Sequence, residues 1–130
     1  MKKILIIILA VVIVGGGVAY YFLAARGEKP VELTAYVPGD YFVTNVADSS
    51  SLFKVTVVLM LNTDKLEEKL AENEYVIRDT IIERLRKLTE KDLTSSDIQD
   101  RLRTELKDEI NLVLGIDNIV TIYFSDFVMQ

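Results

Sequence analysis

Twenty Asp and Glu side chains stand against fifteen Lys and Arg in this 130-residue chain, which has no His and no Cys. Carboxylates are therefore the first groups to try for chemistry. A pair of them can divide acid and base roles in hydrolysis, and several together can hold a hard cation. Glu67-Glu68, Glu72 with Glu74, and Asp108-Glu109 are the closest acidic groupings. Each falls in a segment of helical spacing, where such residues form a solvated face, and no D-x-D-x-D-G loop supplies a calcium site. The missing His and Cys remove the commonest general base, the commonest metal ligand and all thiol chemistry. No G-x-S-x-G elbow is present. The chain reads as a non-enzyme, with no catalytic residue, cofactor, metal site or small-molecule substrate expected.

The remaining candidates are contact residues. Arg78-Asp79 could make a charge-assisted contact with a partner or a neighbouring subunit; the plainer reading is an exposed helix face of small energetic weight. On the last strand, Phe124 shares its parity with Val120 and Ile122 and is assigned to the core. Tyr123 and Phe127, on the other parity, could offer an aromatic surface to a neighbouring subunit or partner. Gly15 and Ala19 have the small-x-x-x-small spacing that lets two membrane helices approach closely, although Gly is common in such helices anyway.

These residues must be positioned by an anchor and one domain. Ile4 to Ala25 are 22 consecutive positions without a charge, after Met1-Lys2-Lys3. As a helix they span roughly 33 Å, enough for a bilayer core of about 30 Å. Gly17-Val18-Ala19 is also a passable signal-peptidase site. The apolar run continues through Tyr20, Tyr21 and Phe22 to Ala25, longer than a usual signal core and with aromatics suited to an interface belt. Lys2 and Lys3, set against Arg26 and Lys29 offset by Glu28 and Glu32, place residues 1–3 in the cytoplasm and the domain outside. Residues 26–35 read as a short tether containing Pro30, and 36–130 as the domain. All 20 carboxylates and 12 of the 15 cations lie after Arg26, a net of −8 that argues against a nucleic-acid partner.

Along the domain, Pro38-Gly39-Asp40 signals a turn and Tyr41 to Val46 a strand. Leu52 to Leu61 is the clearest strand, with Phe53, Val55, Val57, Leu59 and Leu61 on one face. Val58 and Met60 suggest that its second half is covered on both sides. A helix is expected over residues 65–87, opening on Asp64-x-x-Glu67, broken near Asn73 and burying Ile77, Ile81, Leu85 and Leu88. Thr89 to Ser95 reads as a polar connection. Ser96 to Gln99 reads as a capping box before a helix with Ile98, Leu102, Leu106, Ile110 and Val113 in a stripe. Asp97 with Arg101, and Arg101 with Glu105, are expected i,i+4 pairs. Gly115 suits a left-handed helix end. Ile119 to Met129 is the last strand. The order is α+β: a three- to four-stranded sheet packed by two to three helices.

These residues resemble the flagellar basal-body-associated FliL family. Tyr41-Phe42-Val43-Thr44-Asn45-Val46 and Phe53 to Leu59 match its strands. Ile77-Arg78-Asp79-Thr80-Ile81-Ile82 is similar to its IRD-x-I-I helix, Thr89 to Leu93 to its T-x-x-DL connection, and Val120 to Gln130 to its V-YF-x-DFV-x-Q segment. The resemblance implies a stomatin-like (SPFH-like) periplasmic domain behind a single inner-membrane span. It further implies a homo-oligomeric ring around the flagellar stator, of the MotA/MotB type, that supports stator activation, torque and swarming. Asn73-Glu74-Tyr75 departs from the Pro that many members carry before the helix. A different class of function, a generic anchored periplasmic binding module, fits the same scaffold.

Overall fold

Strand Leu52–Leu61 (β3) alternates as its sequence dictates: Phe53, Val55, Val57, Leu59 and Leu61 are each 2% exposed or less. A computed structural model describes residues 1–27 and 30–130. Glu28 and Lys29, which entered the tether and orientation readings above, lie outside the described residues. The domain forms a four-stranded antiparallel sheet with β3 at its centre. Thr34–Tyr36 (β1) and Phe42–Asn45 (β2) share one edge of β3, β1 beside Leu59 to Leu61 and β2 beside Leu52 to Val55. Ile119–Met129 (β4) runs along the whole other edge. The short β1 was not expected.

Helix Lys2–Ala25 (α1) has no buried residue, and it is long and apolar enough to cross a membrane. It belongs to a compact unit of its own, Met1–Val31, while Glu32–Gln130 form the other. In the second unit the expected 65–87 helix is two helices, Glu67–Glu72 (α2) and Glu74–Leu85 (α3), broken at Asn73. At the break the Asn73 side-chain amide donates to the Lys69 carbonyl at 2.9 Å, while the Asn73 main-chain carbonyl accepts from the Val76 and Ile77 N–H groups at 3.0 and 3.1 Å. A short helix Glu90–Leu93 (α4) and the longer Ile98–Leu114 (α5) follow. Leu70, Ile77, Ile81 and Leu85 pack with Leu102, Leu106 and Ile110 into the same core as the inner faces of β3 and β4. Full burial of each such side chain stabilises by about 1.5–3 kcal/mol.

Several local expectations are corrected. The apolar stripe of α5 ends on buried Leu114, because spacing by four continues past Ile110, and Val113 is 52% exposed. Asp64 does not cap α2, whose N-cap position is Leu66. The Ser96–Gln99 box does not form; the Asp97 carboxylate accepts instead from the Ser95 hydroxyl. The box lies at α4, where Thr89 Oγ1 accepts from the Asp92 N–H at 3.1 Å and Asp92 Oδ2 accepts from the Thr89 N–H at 3.0 Å. Arg101 reaches Asp92 at 3.5 Å and Glu105 pairs with Arg84, so cross-helix partners replace the i,i+4 pairs. Val58 and Met60 are half-buried on the face of the sheet away from the helices, so the cover expected there is partial. Gly115 ends α5 at φ +64, as its position required.

Candidate functional site

Arg78 is held inward. From α3 its Nη1 donates to the Pro38 carbonyl at 2.6 Å and its Nη2 to the Tyr41 carbonyl at 3.4 Å, with the guanidinium 4.2 Å over the Phe42 ring. It thereby fastens the turn between β1 and β2 to the helix. Gly39 in that turn has φ +71, a conformation that favours glycine, and a Cβ there would displace the Arg78 guanidinium from its place against the turn. Asp79, the next residue, is exposed and lines a groove of about 360 Å3 between α3 and α5. The pair is thus split: one member locks the fold, and the other faces the groove.

The groove is electrostatic at its floor and apolar at its rim. Arg84 bridges α3 to α5 through Glu105 at 3.5 Å and through Glu109, while Leu112 and Val113 at the rim are 83% and 52% exposed. Arg84 Nε is buried without a partner among the described residues. This cross-helix cluster was not legible in the sequence; its signal is the spacing of Glu105 and Glu109 by four, which puts two carboxylates on one face of α5.

The last strand does not keep one parity. The register against β3 shifts between Met60 and Leu61 and again between Lys54 and Thr56. The second irregularity falls at Asp126, whose φ is +54. Consequently Val120 is 40% exposed although it shares its odd-even count with buried Ile122. Phe127 is carried to the core side, its ring 4.7 Å from Phe53 and 5.6 Å from Phe124. Tyr123 stays on the outer face at 51% exposure. The structure therefore does not bring Tyr123 and Phe127 together, and the strict alternation assumed for them is overturned by the bulge. Phe124 is half-buried, as its assignment to the core side required, with Arg103 5.8 Å from its ring.

Carboxylates whose titration is displaced act as structural clamps. Hydrogen bonds from Ser49 and Ser51 hold Glu90 below its ordinary value, and those from Thr89 do the same for Asp92. The Ser95 hydroxyl lowers Asp97. Each favours the ionised form, which is the wrong direction for a proton carrier near neutrality. Tyr36 moves the other way, raised by burial and by Glu74. Among the described residues no three metal-ligating side chains converge. In the anchor, Gly15 and Ala19 lie on the exposed surface of α1, with Tyr20, Tyr21 and Phe22 following and Lys2 and Lys3 at its start.

A sequence model of the flagellar basal body-associated protein FliL matches residues 36–130. The chain is 27% identical over 91 residues to a flagellar protein FliL of Aquifex aeolicus and 25% identical over 88 residues to a flagellar protein FliL of Bacillus subtilis. Both alignments cover 68% of this chain, but only 56% and 63% of the two relatives.

Proposed function

This chain belongs to the FliL family of flagellar basal body-associated proteins, and from that premise we propose that it is an inner-membrane-anchored accessory subunit of the flagellar motor. Its domain has the stomatin-like (SPFH-like) architecture and lies on the extracytoplasmic side, with Lys2 and Lys3 in the cytoplasm. Copies assemble as a ring around the stator complex and support its activation, torque and swarming. The single observation that carries this reading is the family match over residues 36–130, preceded by a helix able to span a bilayer. Asp79 and Tyr123 are the exposed members of the contact residues, and Gly15 and Ala19 the positions where anchors approach one another.

Because Thr34 and Ala35 are already paired in β1, the tether of residues 26–35 shortens to 26–33, too few to let the domain drift far from the headgroups. The anchor is then part of the mechanism, because it sets the height at which the domain meets the stator. A chromosomal deletion should reduce spreading on swarm agar, and the full chain should restore it. Full restoration by a variant with a long Gly/Ser spacer after Gly27 would remove the height argument. Undiminished motility on deletion would favour a generic anchored binding module instead.

A further inference from the structure

The helical layer carries its charge unevenly. Residues 64–74, through α2 to the start of α3, hold Asp64, Glu67, Glu68, Glu72 and Glu74 against Lys65 and Lys69, a net of −3. Residues 86–91, past the other end of α3, hold Arg86, Lys87 and Lys91 against Glu90, a net of +2. At about 1.5 Å per residue, the 12 residues of α3 hold the two groups roughly 18 Å apart.

Neither group is neutralised within the domain. Arg84, Arg101, Arg103 and Lys107 are all paired with carboxylates, whereas Arg86, Lys87 and Lys91 have none within ion-pair distance among the described residues. All three are exposed, and the one carboxylate among them, Glu90, accepts from the Ser49 and Ser51 hydroxyls. Glu67, Glu68 and Glu72 are likewise exposed and unpaired among the described residues. Cations at the end of α3 and carboxylates at the start of α2 suit their helix dipoles, which accounts for some of this placement. It does not account for Tyr75, which is 73% exposed one residue after Glu74. Tyrosine and arginine are enriched among the side chains that anchor protein contacts, and a tyrosine face also attracts a cation.

We infer that the acidic end of one copy, Glu68, Glu72 and Tyr75, seats on Arg86 and Lys87 of the next copy, so that the chain assembles head to tail through the two ends of the α2–α3 layer. Charge complementarity selects a second copy as the occupant. With a net charge of −5 the chain repels itself over most of its surface, and residues 86–91 reverse that sign without internal pairing of their cations. The match joins unlike ends, so each copy keeps one free end of each kind and the contact repeats from copy to copy. Heterologous contacts of this kind generate rings when the rotation closes. The inference rests on the ring reading above and supplies that ring with its two bonded surfaces.

The test treats the full chain in native membranes with a water-soluble carbodiimide, which joins a carboxylate to a lysine amine as an amide and takes up the water released. Multimers should form with Glu68 or Glu72 linked to Lys87, and across roughly 18 Å such a zero-length link cannot arise within one copy. A second reagent that joins amine to amine reads the yield of multimers in charge-reversed chains. Arg86→Glu with Lys87→Glu should cut that yield about tenfold, because like charges then face each other. Glu68→Lys with Glu72→Lys should do the same, and all four reversals together should restore multimers, each at an unchanged melting temperature. Multimers linked elsewhere, with a yield that survives either reversal, would overturn the contact and leave the ring standing. Chains that stay monomeric with both reagents would overturn the ring as well. Adducts of these ends to a different protein would overturn the second copy as occupant.

Discussion

The two halves of β4 are built from similar apolar residues and end in opposite situations. In the first, Ile119 and Ile122 are buried and their outward main-chain groups are taken by Asn111 and Arg103 of α5. In the second, past Phe124, the strand bulges at Asp126, its aromatic rim is half-buried, and no strand lies beside its outer edge among the described residues. A strand's sequence can therefore specify burial in one half and leave the other nearer the surface, the difference being supplied by whichever element packs alongside. Helix α5 lends two polar side chains to the first half, and the second half packs Phe124, Phe127 and Met129 only partly against the core.

The largest expected contrast between the halves is thermodynamic. Ile122→Ala, at a fully buried position, should cost about 2–5 kcal/mol in denaturant unfolding of the domain. Val128→Ala, on the exposed side of the open half, should cost under about 0.5 kcal/mol. Similar costs would erase the distinction. Next in size, Asn111→Leu should remove about 1–3 kcal/mol, because it strands both main-chain groups of Ile119 near the core. It should also speed amide exchange at the start of β4 while leaving Phe127 and Met129 unchanged.

The opposite edge sharpens the comparison by a gain. Thr44 on β2 is 7% exposed and its hydroxyl has no hydrogen-bond partner among the described residues. Thr44→Val keeps the branched shape and should stabilise by about 1 kcal/mol, measured as a raised denaturation midpoint. A loss would mean that the hydroxyl is satisfied. At the bulge, Asp126→Val should destabilise by about 1–2 kcal/mol, since a β-branched residue resists φ +54, whereas Asp126→Gly should be close to neutral.

The smallest effect is that of pH, and it comes from outside β4. Glu90, Asp92 and Asp97 have lowered folded-state values against ordinary ones of 4.5, 3.8 and 3.8. The unfolded chain therefore binds protons first as pH falls below those ordinary values, and stability is lost progressively through that window. Thr89→Val removes the hydroxyl's hydrogen bond to the Asp92 carboxylate and leaves the one from the Thr89 N–H, so it should partly flatten the acid limb of a melting-temperature profile. An unchanged limb would assign the loss to other carboxylates.

Wherever alternation or spacing by four acts alone, the sequence was readable. The inner face of β3, the Ile77-Ile81-Leu85 row of α3 and the helix stop at Gly115 all follow from periodicity or backbone conformation. Features set by tertiary neighbours were not readable. Asp126 gave no local sign of a bulge, so Phe127 was placed on the wrong parity. Arg101 and Glu105 had nearer partners in sequence than the ones they use. Arg78 drew attention as a charge, while its donors are engaged by carbonyls about forty residues earlier. Of the candidate contact residues, Asp79 and Tyr123 remain on the surface for a partner, and their chemistry alone does not name it.

The central claim is that this anchored domain works at the flagellar base. Its most direct test is imaging of a fluorescent fusion to the full chain in living cells whose flagellar hooks carry a second label. Foci coincident with flagellar bases, and lost when the stator is deleted, are the predicted result. Uniform fluorescence over the membrane, unaffected by the stator, would contradict it.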